Sequence, residues 1–320
     1  EPSRRVITLC TAATPIGHKV SIALEELGRG LVLEPVTPGL VACGLLAGAP
    51  QPLQTAWLPG MAEGRLLVTL AHQERAARYR LDRCAASARA QDAGFRVDGS
   101  KHLVPAGDRA DAWLVPAQLD GRLALFLVRS DAPGARTRPY GTQDGSRAAD
   151  LVLQDTPAEL VTTEGLAALE WGMDIGIAAA CAEGVGAMQR ALEITAEYLN
   201  TRRQFGTPIA SFQALRHRVA DMKMQLELAR SMSYYASLKL TAPEPERRAA
   251  LSRAKVQLGQ SMRFVGQQAV QLHGGIGMTD EYPISHYFRK LTQLELSFGD
   301  TLHHLGEVAA RMQPEAGVFV

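Results

Sequence analysis

Two short stretches of this chain combine side chains and bare backbone in a way that could hold a phosphate. The first is Arg202-Arg203-Gln204-Phe205-Gly206-Thr207-Pro208. Arg202 offers a planar fork that can grip phosphate through two parallel hydrogen bonds. Gln204 adds a polar handle and Phe205 a flat face for a ring, while Gly206 and Pro208 turn the chain. The second is Gln271-Leu272-His273-Gly274-Gly275, followed by Ile276-Gly277-Met278. Adjacent glycines let backbone approach a ligand closely, and N–H groups near a bend suit an anion. Glycines also stop helices. Taken alone, the first stretch reads equally well as a polar interhelical loop with one buried Phe, and the second as a plain helix stop.

Long helices must position both stretches. Residues 160–312 read as four long antiparallel helices with short connections. They cover about 162–202, Ser211 to about 240, about 245–272, and a fourth that starts after Pro283. Pro208, Pro243, Pro245 and the Gly274-Gly275 pair separate them, and the pattern is that of a four-helix bundle. Residues 66–156 change period to short β-rich runs, in which Asp98-Gly99 and Asp120-Gly121 each signal a hairpin. Residues 19–62 read as helical, with "VSIALEELGRGL" ending on Gly28 and Gly30 and Pro52 suited to a first turn. The expected fold is α+β and multidomain. It has a short or incomplete N-terminal helical domain over 1–65, a middle antiparallel, β-barrel-like domain over 66–156, and a C-terminal four-helix bundle over 157–320.

Bulk properties narrow the class. The chain has 320 residues, 46% hydrophobic and 21% charged, with 34 basic and 33 acidic residues for a net charge of +1. That is an ordinary globular composition with no basic tract for nucleic acid. No run long and apolar enough for a membrane span is expected. Cys10, Cys43, Cys84 and Cys181 are scattered without a C-x-x-C pair, so neither a metal site nor a disulfide framework is indicated. A reducing cytoplasm is the simplest setting. The chain begins at Glu1, so native sequence is expected to be missing near the start, and no signal peptide is visible in what is given.

R-x-Q-F-G-x-P-I-x-x-F-Q from Arg202, then Q-L-H-G-G-x-G and "EYPISHYFRK", together resemble the acyl-CoA dehydrogenase flavoprotein family. "WLPGMAEGRLLVTLAHQE" and "GFRVDGSKHLVPAGDRADAWLV" extend the resemblance to the end of its N-terminal helical domain and its middle β domain. The resemblance implies FAD across a subunit interface, with the R-x-Q-F loop of one chain and the Q-x-x-G-G segment of its neighbour around the ADP half. Carried over, Arg202, Gln204 and Phe205 would contact the pyrophosphate and adenine side. Ile209, Phe212 and Leu215 would add apolar contacts, and Gln271, Gly274 and Gly275 would form the second segment. His273 reads as a packing residue.

Other positions depart from the family. The usual catalytic glutamate aligns with Phe298, and the alternative base register on the first long bundle helix falls on Gly176; neither can take a proton. Glu170 and Asp174 lie near that register but off it. The "T-E-P" run that lines the flavin ring aligns with His72, Gln73 and Glu74. Leu103 and Pro105 replace the shelf Trp and Thr, and Pro105 has no N–H to donate. Asp300 and Leu302 stand where Thr and Gln usually help hold the cofactor. This pattern resembles the non-catalytic subunit of actinobacterial α2β2 acyl-CoA dehydrogenases acting on steroid-type CoA thioesters. It implies a homologous catalytic partner, a bulky acyl-CoA reached mainly through that partner, and an electron-transferring flavoprotein as acceptor. Two alternatives stay open. One is a self-sufficient dehydrogenase with a displaced base at Glu295, Asp174 or Asp300, and the other is a flavin-free scaffold of the same fold.

Overall fold

The computed structural model describes residues 36–91 and 94–316. The expected helix over "VSIALEELGRGL" and residue Cys10 lie outside the described residues. Two helices come first, α1 (Val36–Leu46) and α2 (Gln51–Ala62). Pro52 sits in the first turn of α2, where its missing N–H costs nothing.

Seven strands follow: β1 (Val68–Leu70), β2 (Ser87–Gln91), β3 (Gly94–Pro105), β4 (Ala112–Leu119), β5 (Arg122–Arg129), β6 (Ala135–Gly141) and β7 (Arg147–Thr162). Pairing runs from β4 to β2, β3, β7 and β5, and β5 pairs back to β4, which closes a ring. Its interior is filled by apolar side chains, Trp113, Phe126, Val97, Leu151 and Leu153 among them. The expected antiparallel character holds for most pairs, but β1 and β2 each pair with β4 in parallel. The expected boundary at 156 falls inside β7, which continues to Thr162.

The two hairpin signals part ways. Asp120 and Gly121 join β4 to β5 in a two-residue turn, both at positive φ, as such turns require. Asp98-Gly99 makes no hairpin. It lies within β3 at a register shift against β7, with Gly99 at φ 148°. A Cβ on Gly99 would stand 2.8 Å from the Ala86 Cα, so the glycine serves close strand approach rather than a turn.

The helices after the sheet are α3 (Gly165–Thr201), α4 (Gln213–Lys239), α5 (Glu244–His273), α6 (Pro283–Leu296) and α7 (Thr301–Ala316). The fourth arm of the expected bundle is thus two helices, broken at residues 297–300. Among the described residues the contacts divide once, between Gly176 and Ile177 within α3. The first unit holds α1, α2 and the sheet; the second holds the rest of α3 and the later helices. The second unit's core is one apolar cluster that includes Cys181, Met188, Met222, Leu226, Leu258, Met262, Leu272, Ile284 and Leu291. Contrary to expectation, α3 is long and apolar enough by length and composition to cross a membrane, though 56% of its most apolar window is buried inside the protein. Burial within the molecule is how a core helix reaches that composition.

Gly99→Ala is expected to destabilise the fold by about 2 kcal/mol, because it adds both a positive-φ penalty and a backbone clash. Urea unfolding monitored by circular dichroism checks this; an unchanged midpoint would refute the close-approach account.

Candidate functional site

The R-x-Q-F-G-x-P stretch folds as a miniature hairpin. Arg203 pairs with Pro208 and Gln204 with Thr207, forming strands β8 (Arg203–Gln204) and β9 (Thr207–Pro208). Phe205 and Gly206 form the tip at φ 54° and 78°. Two left-handed residues suit a tight hairpin, but a Phe in that conformation is strained. The Phe205 ring is 92% exposed and meets only Phe212 edge-on, with centroids 6.0 Å apart. Arg202 and Gln204 are exposed beside it, and the Ile209 N–H donates to the Arg202 carbonyl at 2.9 Å. Ile209 and Leu215 are half-buried and pack on their own helical core. They therefore support the hairpin from below and offer less open surface than Phe205 and Phe212.

The second stretch ends α5. Gly274 takes φ 66° and ψ −139°, a region open essentially to glycine, and its N–H closes on the carbonyls of Gln271 and Val270. Gln271, Gly274 and Gly275 are all exposed. A Cβ built on Gly274 or Gly275 would meet nothing within 4 Å, and the same is true of Gly206. Packing within this chain therefore does not require Gly275 to be bare. The glycines leave open backbone facing outward.

The two stretches are tied together by aromatic packing. The Arg202 N–H donates to the Tyr198 carbonyl at 2.8 Å. The Tyr198 ring stacks on His273 at 4.5 Å, and its hydroxyl donates to the His273 carbonyl at 3.3 Å. Tyr282 also packs against the imidazole, tilted at 5.1 Å, and meets the Tyr198 ring edge-on at 6.1 Å. The His273 Nδ1 bonds the Ala269 carbonyl at 2.7 Å, and burial pushes the ring's pKa down. A buried imidazole held in a three-ring aromatic cluster acts as a packing element.

Around the aligned base position the structure shows a polar frame that the sequence did not reveal. Phe298 and Gly299 form the break between α6 and α7 at φ 58° and 103°. A Cβ on Gly299 would come within 2.6 Å of both His303 and His304. The Phe298 ring is half-buried against the helical core. The fully buried Lys255 ammonium donates to the carbonyls of Leu294 and Glu295 at 2.9 and 2.8 Å. Burial lowers its pKa to about 8. The Glu295 Oε1 accepts the Thr301 hydroxyl at 2.6 Å, the Thr301 N–H at 3.1 Å and Arg263 at 3.0 Å. The Asp300 Oδ1 accepts the His303 N–H at 2.8 Å, as the N-cap of α7. Two of the three candidate displaced bases are thus used as helix supports. The third, Asp174, is buried on α3, as is Gly176.

In the first unit, the region aligned with the flavin-ring shelf is rebuilt. Leu103 is half exposed at φ 51°, and Pro105 is exposed at the end of β3. Glu74 binds the fully buried Lys101 at 2.6 Å and accepts the N–H groups of Ala85 and Ala86.

Comparison with known proteins shows the family. The family model described as "Acyl-CoA dehydrogenase, C-terminal domain" matches residues 163–313. The steroid ACAD variant Tcur3481-Tcur3483 is 31% identical, with a TM-score of 0.82 over 94% of this chain and 82% of that one. The ChsE4-ChsE5 complex from Mycobacterium tuberculosis is 26% identical, with a TM-score of 0.79 over 92% of this chain and 79% of that one. Acyl-CoA dehydrogenase FadE27 of the same organism is 28% identical over 90% of this chain and 79% of its own length. This chain belongs to the acyl-CoA dehydrogenase family of oxidoreductases.

The frame at the α6–α7 break makes stability depend on pH. His304 is buried, its Nε2 bonding the Phe298 carbonyl at 3.0 Å. Burial pushes its pKa from 6.5 down to about 3, outweighing that carbonyl's opposite pull. The folded imidazole stays neutral while the unfolded one takes up a proton as pH falls through 6.5. Stability is therefore complete above that value and lost as pH falls towards about 3, by up to about 1.4 kcal/mol per pH unit. His304→Gln is expected to flatten the fall in urea midpoint between about pH 7 and 5. An equally steep fall in the variant would count against this source.

Proposed function

We propose that this chain is the FAD-binding, non-catalytic subunit of a heteromeric acyl-CoA dehydrogenase acting on a bulky, steroid-type acyl-CoA. The observation that carries the reading is the contrast between two parts of the chain. The phosphate-side features, Arg202, Gln204, Phe205, Gln271, Gly274 and Gly275, are exposed and leave open backbone. The base position is a phenyl ring, and the carboxylates nearest to it in sequence cap helices. When bound, FAD would accept the hydride leaving the β carbon of the thioester. This chain would supply grip: the Arg202 fork to a pyrophosphate oxygen, Gln204 as a second polar contact, and Phe205 with Phe212 as apolar faces. The exposed, side-chain-free backbone at Gly274 and Gly275 lets the same ligand approach closely. A homologous partner supplies the carboxylate at the α carbon and the flavin-ring shelf.

The assembly and substrate class draw support from the relatives. One similar structure is titled a steroid ACAD and another a complex of ChsE4 with ChsE5. An electron-transferring flavoprotein as acceptor belongs to the same proposal. The reading with a displaced base is weakened by Glu295 and Asp300, whose oxygens hold Thr301, Arg263 and His303.

Co-expression with a paired dehydrogenase that keeps its glutamate tests the proposal. The chain alone is expected to lack flavin, and the pair to be yellow and active. A yellow, active homo-oligomer of this chain would overturn it. In the complex, Arg202→Ala is expected to weaken FAD binding about tenfold to a hundredfold, read by flavin fluorescence on dilution. Glu295→Gln and Asp300→Asn keep an acceptor for each cap, and the rate of the complex is expected to stay within about threefold. A loss of several orders of magnitude would identify a base in this chain.

A further inference from the structure

We propose that Cys84 and Lys101 are an oxidative modification site, in which a covalent bond forms between Sγ and Nζ. The two atoms lie 3.4 Å apart. Lys101 is fully buried on β3. Its ammonium binds the Glu74 Oε1 at 2.6 Å, and the thiol reaches the same oxygen at 3.3 Å. The thiol also lies 3.3 Å from the Pro116 carbonyl and 3.7 Å from that of Ala86. A nucleophilic amine, a sulfur and a proton acceptor therefore form one triangle, prepositioned for reaction. Beside the thiol lies a cavity of about 10 Å³ lined by Cys84, His72, Ala77 and Pro116 among others. That is about the room one water needs, and hydrogen peroxide is only modestly larger.

The oxidant is hydrogen peroxide. Cys84 gives up its proton, and its sulfur attacks one peroxide oxygen. The O–O bond breaks, hydroxide leaves and takes that proton as water, and Cys84 becomes a sulfenic acid. Lys101 then passes one proton to Glu74, and its freed lone pair attacks Sγ. The S–O bond breaks, and the departing hydroxide takes the proton from Glu74 as a second water. The bridged nitrogen releases one further proton to solvent. In sum, a thiol, an ammonium and one peroxide give an S–N bond, two waters and a proton. The sulfur is oxidised by two electrons and the peroxide is reduced by two.

Two consequences follow from the surroundings. The bridge ties β3 to the segment that leads into β2, and it removes the positive charge that faces Glu74. That carboxylate keeps the Ala85 and Ala86 N–H groups as partners. Burial pushes the Cys84 thiol's pKa up, with Lys101 acting against it. The thiolate is the attacking species, so the bridge forms faster as pH rises.

The test uses the full chain, with its partner where one is needed for purification. It is treated with hydrogen peroxide at about pH 7 and 9, digested with trypsin and analysed by mass spectrometry. Peptides 84–89 and 97–109 are expected to be joined, with loss of two hydrogens and no cleavage after Lys101. Dithiothreitol is expected to release them, and the yield is expected to be higher at the higher pH. Cys84→Ser and Lys101→Arg should each abolish the joined peptide. The wild-type map decides the matter even if Lys101→Arg fails to fold. Oxygen added to Cys84 with Lys101 still cleaved would overturn the proposal. So would an unmodified Cys84 under conditions that oxidise Met278, which is 73% exposed.

Discussion

A buried ammonium must be surrounded by acceptors, and in the helical unit that requirement fixes where the chain can turn. Lys255 lies in the middle of α5 with no exposure, where an unpaired charge would cost several kcal/mol. It donates to two of the last three carbonyls of α6, those of Leu294 and Glu295. These are groups that a helix end leaves unsatisfied in any case. One side chain thus neutralises its own burial penalty and terminates the helix. The Glu295 carboxylate then reaches across the break to hold Thr301 at the start of α7. The four-residue turn between them is fixed from both ends, and Phe298 and Gly299 accept the left-handed conformations that it imposes.

The same frame makes the backbone of this turn independent of the side chain at position 298. The residues that shape it are Lys255, Glu295, Asp300, Thr301 and His304, and none of them is the side chain at the turn's apex. A substitution at the apex therefore leaves the backbone geometry in place. The exposed surface formed by the two glycine-bearing stretches is independent of this turn. It depends on the φ of Gly274, on the hairpin tip at Phe205-Gly206, and on the Tyr198–His273 stack that links the helix ends carrying them.

Much of the architecture was legible because its signals are local. Pro208, Pro243 and the Gly274-Gly275 pair mark helix ends that the structure reproduces, and the Asp120-Gly121 turn follows from its own φ demands. Asp98-Gly99 misleads because the same dipeptide also serves a strand that must pass close to another chain segment; only the proximity of Ala86 distinguishes the two. The break at residues 297–300 is hidden for a related reason. Its cause lies in Lys255, remote in sequence, and no periodicity in "LELSFGD" announces it. β2 and β6 are also missed, being polar and largely exposed, with no apolar alternation to mark them. At the site, residue types singled out Arg202, Gln204 and Phe205, which the structure places at the surface. They could not show that Ile209 and Leu215 face inward, or that Lys101, Glu74 and Cys84 meet.

Binding and proton transfer make different physical demands, and this fold meets them with different parts. Gripping a pyrophosphate needs exposed donors and backbone free of side chains, which under the proposed function are Arg202, Gly274 and Gly275. Removing an α proton needs one carboxylate, aimed from the α6–α7 turn or from α3. A carboxylate at position 298 would sit half-buried against an apolar core, where its charge would be costly unless a ligand or partner satisfied it. A phenyl ring there packs against that core at no such cost. Once a second chain supplies the proton acceptor, this chain gains stability by replacing the acid with an apolar side chain and gains nothing by keeping it. Under the proposed function, a phenyl ring at position 298 beside an open phosphate-side surface is then the expected outcome.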